Sequence, residues 1–503
     1  MSTPLKSAIV FLACLLSLGS IAAASPEGER WLSAAQIHTD IDLAAETYRR
    51  VHPGFDRYTA AEDIEQAWSA LKQEALDTNG MSVGDLYIAI ERVLTLIRCD
   101  HTKAELPLVM KAERRTMPVY LPARWTWVET RGIIQSAPIE TGLHPGDEII
   151  EIDGTPLQDM VAQVRPLIPV DGFATWSADA GIAASLEFMG GAVDHFGALL
   201  WEVQPTATIL VERTTGDRET VRVDRVTFDA WTALGAANGS ASDFKDAVLY
   251  EDIGSNAGYL RVDTFVNYRK PIEPDDLYAP VFKALKQDGR EHLILDLRKN
   301  GGGSSDAQMR LLQYLIEKPV TPIRNICART LNMDGIRDHL WTWDKRALSP
   351  NRLGFKRTKD GDYCLRNFVD SDLKSKKPAR FAFKGELLVL TSRANSSAST
   401  SLISILRAHR PVTLIGETTG GSPQGPTAGL QFTLTLPESG IRTRVPFLRY
   451  FNNVSGVDDG SGLTPDIPIV NTVAAARQGK DLALDEAKRL IAKIDKKKRL
   501  GRR

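Results

Sequence analysis

A run of serines stands between an apolar strand and an apolar helix near residue 397. Ser396 and Ser397 lie between the stretches GELLVLTS and ASTSLISILRA. In an open α/β sheet, functional sites form at the carboxyl ends of strands. A helix N-terminus adds free N–H groups and a partial positive charge, which could hold an oxyanion. Ser397 is therefore a candidate nucleophile, and a helix-capping serine is the alternative interpretation.

A glycine-rich loop, RKNGGGSSD, follows a second apolar strand, EHLILDL. Glycine lets backbone N–H groups approach a ligand closely. The loop has neither the G-x-x-x-x-G-K-[ST] nor the G-x-G-x-x-G pattern of nucleotide-binding loops. We therefore expect a second oxyanion donor at Gly302 or a neighbour, with a plain tight turn as the alternative.

A serine nucleophile needs a base, and the chain contains eight histidines. The loop candidates are His52, in VHPG, and His101, in CDHTK, where Asp100 stands beside it. Spacing alone does not select between these two histidines.

Several segments give the chain a resemblance to a known family. LILDLRKNGGG, SSASTSLISILRAHRPVTLIGETTGG and GLTPDIPI occur in this order. They resemble the D-L-R-x-N-x-G-G, S-A-S-E, G-E-x-T-x-G and G-V-x-P-D segments of the S41 serine peptidases, the tail-specific or C-terminal processing peptidases. TGLHPGDEIIEIDG resembles the end of their PDZ-like domain. The resemblance implies an α/β catalytic core of the ClpP/crotonase type, with an N-terminal helical region and a PDZ-like β-rich domain.

The resemblance also implies roles for individual residues. Ser397 corresponds to the family nucleophile, and the backbone N–H groups of Ala398 and Gly302 correspond to the oxyanion hole. The lysine base of the processing branch is missing, because Ser422 occupies its position. Thr400 stands where S-A-S-E has glutamate.

A second branch of the family, similar to the tricorn core, uses serine, histidine and an acid. This resemblance implies His101 as the base and Asp459 as the acid, with Asp458 and Glu417 as open alternatives. We expect activity to fall below about pH 6, as His101 takes up a proton.

The N-terminal residues have the layout of a secretory signal. Lys6 precedes an apolar run that ends at Ala22-Ala23-Ala24. We expect cleavage after Ala24 and a periplasmic or secreted mature chain without a membrane span. The predicted organisation is a signal peptide at 1–24, a helical region at 25–112, a PDZ-like domain at 113–228 with an insertion near 167–205, a linker at 229–254, an S41-like catalytic domain at 255–475, and a C-terminal helix with a basic tail at 476–503.

Composition excludes several classes of function. The net charge of −1 provides no field that would recruit nucleic acid or an anionic membrane. The mature cysteines, Cys99, Cys327 and Cys364, have no zinc or iron–sulfur spacing, so no metal and no cofactor is predicted. The pair Cys327–Cys364 could close in an oxidising compartment. The sequence leaves the oligomeric state open.

The motifs together predict an exported serine endopeptidase that cleaves unfolded or extended polypeptides through a Ser-His-acid mechanism. The presence of serine, glycine loop, histidine and acid favours this function. The alternative is a catalytically inactive S41-like ligand-binding protein, which Thr400 and the missing lysine favour. A PDZ-bearing scaffold is a third interpretation, but it gives the α/β half no role.

Overall fold

The computed structural model describes residues 26–185, 187–237, 243–254 and 256–500. The predicted signal peptide, residues 1–24, lies outside the described residues. Across the described ranges, none of the helices combines the length and the apolar character that crossing a membrane requires.

A helical region begins the described chain. Helix α2 (Ala34–Val51) starts at a capping box: the Ser33 hydroxyl accepts from the Gln36 N–H, and the Gln36 side chain accepts from the Ser33 N–H. The apolar faces predicted for α3 (Ala61–Asp77) and α4 (Val83–Thr95) are buried, as Trp68 and Ile90 illustrate. The elements are α1 (Pro26–Glu29), β1 (Trp31–Leu32), α2 (Ala34–Val51), α3 (Ala61–Asp77), β2 (Met81–Ser82), α4 (Val83–Thr95), β3 (Lys103–Glu105) and α5 (Leu108–Thr116).

An antiparallel sheet with the order β4-β5-β6-β8-β9 follows, and β7 pairs with β6. The predicted hairpin is β8–β9, in register from Thr206↔Asp224 to Glu212↔Arg218. Residues 165–205, which include the insertion predicted near 167–205, lie outside this sheet between α6 (Leu157–Val164) and β8 (Thr206–Glu212). The elements are β4 (Arg124–Val128), β5 (Arg131–Ser136), β6 (Glu148–Ile152), β7 (Thr155–Pro156), α6 (Leu157–Val164), α7 (Ala192–Leu200), β8 (Thr206–Glu212) and β9 (Arg218–Asp224).

The second half of the chain alternates strands and helices, as predicted. Its elements are α8 (Phe228–Ala237), β10 (Val248–Asp252), β11 (Ala257–Val262), α9 (Pro274–Gln287), β12 (His292–Asp296), α10 (Ser305–Leu315), β13 (Ile323–Ala328), β14 (Leu340–Trp341), β15 (Phe355–Arg357), β16 (Tyr363–Leu365), β17 (Glu386–Thr391), α11 (Ser397–His409), β18 (Thr413–Gly416), β19 (Thr427–Thr435), β20 (Arg442–Asn452), β21 (Ile467–Pro468), α12 (Val473–Gln478) and α13 (Leu482–Leu500).

A mostly parallel sheet, ordered β10-β11-β12-β17-β18-β21, forms the centre of this half. Every residue of β12 is buried, because helices cover both faces of a parallel sheet. The segment predicted as a linker, 229–254, instead contains most of α8 and the edge strand β10. Edge pairing with β11 uses main-chain hydrogen bonds, which require no apolar pattern in the sequence.

A second sheet, ordered β14-β19-β20-β13-β16-β15, joins the two halves of the chain. β3 pairs with β20 at the register Ala104↔Thr443. The predicted helical region and catalytic domain therefore share a sheet, and the residues just before β3 are fixed relative to α11 and its strands.

A disulfide joins Cys327 on β13 to Cys364 on β16, which confirms the predicted pair. Cys327→Ser combined with Cys364→Ser is expected to lower the free energy of unfolding by roughly 2–4 kcal/mol, since the cross-link restricts the unfolded chain. Denaturant unfolding with and without a reductant measures this loss, and the double variant should not respond to the reductant. Equal midpoints for the oxidised and reduced wild type would contradict the prediction.

Candidate active site

Ser397 lies at the N-terminus of α11, just beyond the carboxyl end of β17. The connecting loop is held by Asn395, whose side-chain amide donates to Leu297 O at 2.6 Å and whose side-chain oxygen accepts from Ser392 N–H at 2.7 Å. Ser397 is half-buried, so part of the residue is accessible rather than enclosed in the core.

The backbone of Ser397 has a φ of +50°, a left-handed conformation that costs a non-glycine residue about 1–2 kcal/mol. Such conformations persist where the surrounding structure determines them, and they cluster at active sites. The capping interpretation does not hold, because the N-cap residue of α11 is Ser396 and its side chain makes no capping hydrogen bond. The Ser396 hydroxyl donates instead to Asp100.

The structure brings His101, the base candidate from the sequence, next to Ser397. Its Nε2 lies 3.1 Å from Ser397 Oγ, although the two residues are 296 positions apart. The turn that carries His101 is closed by a hydrogen bond from Thr102 N–H to Cys99 O at 2.9 Å. β3 follows this turn directly, so its pairing with β20 sets the position of the imidazole.

The other loop histidine, His52, has a structural place behind this turn. Its Nε2 lies 2.9 Å from the Thr102 hydroxyl, and its Nδ1 accepts from Gly54 N–H at 3.1 Å. Burial and the nearby Arg329 charge lower the pKa of His52 to about 3. His52 therefore stays neutral at physiological pH and supports the turn that holds His101.

Asp100 is the carboxylate that meets the His101 ring. Asp100 Oδ1 lies 2.6 Å from His101 Nδ1, in ion-pair contact but without the alignment of a hydrogen bond. Burial would lower the pKa of His101, but the charge and contact of Asp100, together with the contact of Cys99, raise it well above its usual value. Burial would likewise raise the pKa of Asp100, and the facing imidazole holds it below the usual value instead.

The structure does not bring Asp459, the acid expected from the sequence, to His101. Its carboxylate binds Arg57 through two oxygens, with Arg57 Nε donating to Oδ2 at 3.1 Å. The hydroxyls of Tyr58 and Ser422 each donate to Asp459 Oδ1 at 3.1 Å. The pKa of Asp459, which burial would raise, is held low by the Arg57 guanidinium. None of the hydrogen bonds or ion pairs of Asp459 among the described residues reaches His101.

The two alternative acids also lie elsewhere. Asp458 is exposed, and Glu417 forms an ion pair with Arg393 at 2.6 Å. Within the described ranges, Asp100 is the only carboxylate in ion-pair contact with His101. The one sequence signal for Asp100 is its position directly before His101, which by itself predicts no role.

The predicted oxyanion donors differ in availability. Ala398 N–H lies in the first turn of α11 and has no acceptor among the described residues. The N–H of Gly302 donates to the Asn300 side-chain oxygen at 2.9 Å, so it is engaged within its own loop. Gly302 is therefore not a free donor in this structure.

The neighbouring Gly303 has a backbone N–H without an acceptor among the described residues. Phe265 N–H donates to Gly302 O, and Ser304 N–H donates to Phe265 O, so the bridge to Phe265 uses the main-chain groups on either side of the Gly303 N–H. Gly303 N–H is therefore a further candidate donor in the glycine loop.

Gly302 still contributes by its lack of a side chain. Its φ is +114°, and an added Cβ would lie 2.8 Å from Ser397 Cβ. Gly302→Ala is expected to lower kcat by about 10²-fold, because displacing a nucleophile by about 1 Å has an effect of that size. Gly361→Ala is the matched control, since Gly361 also has a positive φ but no atom within 4 Å of the added Cβ. Equal peptidase rates for the two variants would contradict this role.

Cys99, Asp100 and His101 have ligand atoms within 4.8 Å of one another, a combination that could hold a metal ion. Each atom has another contact: Asp100 binds His101 and Ser396, while Cys99 Sγ donates to Thr427 O at 3.6 Å. These contacts favour acid–base chemistry at this turn.

A family model and several solved structures of known proteins match this chain. The model of peptidase family S41 matches residues 256–469. The structure of mature CPAF complexed with lactacystin aligns at a TM-score of 0.63 and 17% identity, covering 91% of this chain and 98% of that one. The structure of mature CPAF aligns at a TM-score of 0.61 and 18% identity, covering 91% of this chain and 97% of that one. At these identities the likeness shows a shared fold along nearly the whole chain.

Proposed function

The chain belongs to peptidase family S41 and is a serine peptidase, and on this premise we propose that it is an exported endopeptidase acting through Ser397, His101 and Asp100. Its substrates in this proposal are unfolded or extended polypeptides. The observation that carries the proposal is the 3.1 Å contact between His101 Nε2 and Ser397 Oγ.

The chemistry follows from this contact. His101 takes the hydroxyl proton as Ser397 Oγ attacks the peptide carbonyl carbon, and the C=O electron pair moves onto oxygen. The imidazolium then gives the proton to the leaving amine as the C–N bond breaks. A water molecule, deprotonated by the same imidazole, releases the acyl group from Ser397 and restores the free enzyme.

Two backbone groups would hold the oxyanion of the tetrahedral intermediate. Ala398 N–H is one donor, and its place at the helix N-terminus adds a favourable dipole. Gly303 N–H is the second donor in our proposal, in place of Gly302. Each such donor contributes about 10²–10³-fold to the rate.

Asp100 takes the role of the acid in this proposal. It stabilises the imidazolium and holds the ring in place, while the Ser396 hydroxyl holds the carboxylate. Because Asp100 raises the pKa of His101, the base is neutral only at higher pH than the sequence suggested. We therefore expect activity to rise with pH through a limb above pH 6.5, rather than one near pH 6.

Export and substrate capture rest on separate observations. The disulfide between Cys327 and Cys364 is typical of oxidising compartments, which supports the secretory signal predicted at 1–24. The sheet β4-β5-β6-β8-β9 with helix α6 supports a PDZ-like domain at 113–228. An extended polypeptide could add a strand to an edge of that sheet.

A fluorophosphonate probe with a mature, exported form of the chain tests the proposal. We expect the wild type to be labelled covalently and to digest a reduced, alkylated protein faster than the same protein when folded. Absence of both labelling and digestion would overturn the proposal. It would favour the inactive ligand-binding alternative, to which the engaged Gly302 N–H also points.

A further inference from the structure

The insertion between α6 and β8 reaches the catalytic centre through residues 171–173, here called the Asp171 segment. Three hydrogen bonds connect it to three separate loops: Gly172 N–H to Arg98 O at 2.9 Å, Phe173 N–H to Gly460 O at 2.7 Å, and Ser422 N–H to the Asp171 carboxylate at 2.8 Å. Two of these loops, those of Arg98 and Ser422, carry or contact a residue of the proposed site.

The loop that carries Arg98 leads directly to His101, the proposed base. Arg98 has a φ of +54° and stands three positions before His101. Its guanidinium also lies over the Phe173 ring, 5.2 Å from the centroid. The bond from Gly172 therefore fixes the start of the turn that presents Asp100 and His101.

The loop that carries Ser422 packs against Ser397, the proposed nucleophile. A Cβ added to Gly421 would lie 2.9 Å from Ser396 Cα and 3.1 Å from Ser397 N. The N–H of the neighbouring Ser422 donates to the Asp171 carboxylate. A shift of the Asp171 segment would therefore reach Ser397 through this loop.

The contact with the Gly460 loop leaves no room for a side chain on residue 172. Gly172 has a φ of +59°, and an added Cβ would lie 2.4 Å from Gly460 Cα. A further link from the insertion runs through Asp179, which binds Arg393 at 2.6 Å, four positions before Ser397. The insertion thus contacts the site on both the histidine and the serine side.

Asp171 also brings a carboxyl group into a charged environment. It is 3% exposed, and burial, aided by the Asp100 charge, raises its pKa to about 7. The titratable and charged groups that face it come from every neighbouring loop: Asp100, His101, Arg57, Tyr58 and Arg449.

We propose that Asp171 and Gly172 are positioning residues for the peptidase reaction, through which the insertion of the PDZ-like region holds His101 against Ser397. The proposal rests on the proposed function only in taking His101 as the base. It makes catalysis dependent on a segment that lies outside the matched S41 region.

Gly172→Ala tests the mechanical part, with Gly154→Ala as its matched control. Both glycines have a positive φ, but Gly154 lies in the β6–β7 turn with no atom within 4 Å of an added Cβ. We expect Gly172→Ala to lower kcat by about 10²-fold with KM nearly unchanged. Gly154→Ala should keep wild-type kinetics. Equal kcat values for the two variants, both folded by circular dichroism, would overturn the proposal.

Asp171→Asn tests the electrostatic part and serves if Gly172→Ala does not fold. The amide oxygen can still accept from Ser422 N–H, but the negative charge that favours the imidazolium is gone. We expect the acid limb of kcat/KM to move to lower pH, since the His101 pKa falls. A merely structural role would lower kcat/KM at all pH values without moving the limb, and that result would overturn the proposal.

An inactive wild type would count against the proposed function, whereas an active wild type with unaffected variants counts only against this inference.

Discussion

Replacing Ser397 with alanine is expected to lower kcat by about 10⁶-fold, because no other hydroxyl can take its place in the covalent step. Initial rates on a reduced, alkylated protein measure this loss. The unfolding midpoint should change little, since the removed oxygen has only His101 as its partner in the hydrogen bonds of the described residues.

Ser396→Ala is the matched control for the nucleophile. Its hydroxyl donates to Asp100 and does not contact the base, so we expect only about a tenfold loss. If Ser397→Ala were active and Ser396→Ala inactive, Ser396 rather than Ser397 would be the nucleophile.

Asp100→Asn is expected to lower kcat by about 10³–10⁴-fold, the effect of removing the acid that orients a catalytic histidine. The acid limb of kcat/KM should also move to lower pH, because the Asp100 charge raises the pKa of His101 in the wild type. A pH–rate profile of the variant measures both effects at once.

Asp459→Asn separates this assignment from the one made on the sequence. The variant should retain most of its kcat, but its free energy of unfolding should fall by roughly 1–3 kcal/mol, because the Arg57 side chain, only 4% exposed, loses its charged partner. The partial exposure of Asp459 keeps this loss moderate. A loss of about 10³-fold for Asp459→Asn, with an active Asp100→Asn, would restore Asp459 as the acid.

The sequence pointed to Ser397 and His101, which the structure brings into contact, because each lies within a recognisable local pattern. Ser397 follows an apolar strand and opens an apolar helix, and His101 closes a predicted helix in a D-x-H-T-like segment. The strands β11, β12, β17 and β18 were also predictable, since buried parallel strands are continuous apolar runs.

Asp100, the acid in our proposal, could not be predicted from the sequence because its contact with His101 depends on tertiary structure. Asp459 binds Arg57, which is 402 positions away in a loop without any charge motif. The direction of Asp100 depends on the turn after α4, where Arg98 adopts a positive φ. Neither feature has a periodic signal in the sequence.

The second oxyanion donor in our proposal lies in the predicted glycine loop, one residue after Gly302. Glycine content identifies where the backbone can approach a ligand. Which N–H group remains free depends on hydrogen bonds that the sequence does not show, here the bond from Gly302 N–H to Asn300 and the bridge between Gly303 and Phe265.

The most direct test is a crystal structure of the enzyme labelled with a fluorophosphonate, a stable tetrahedral adduct. The account predicts phosphorus bonded to Ser397 Oγ and the phosphoryl oxygen about 2.7–3.1 Å from the N–H groups of Ala398 and Gly303. His101 Nε2 should remain in hydrogen-bond contact with the adduct. A phosphorus bonded to another residue, or a phosphoryl oxygen facing neither N–H group, would contradict the account.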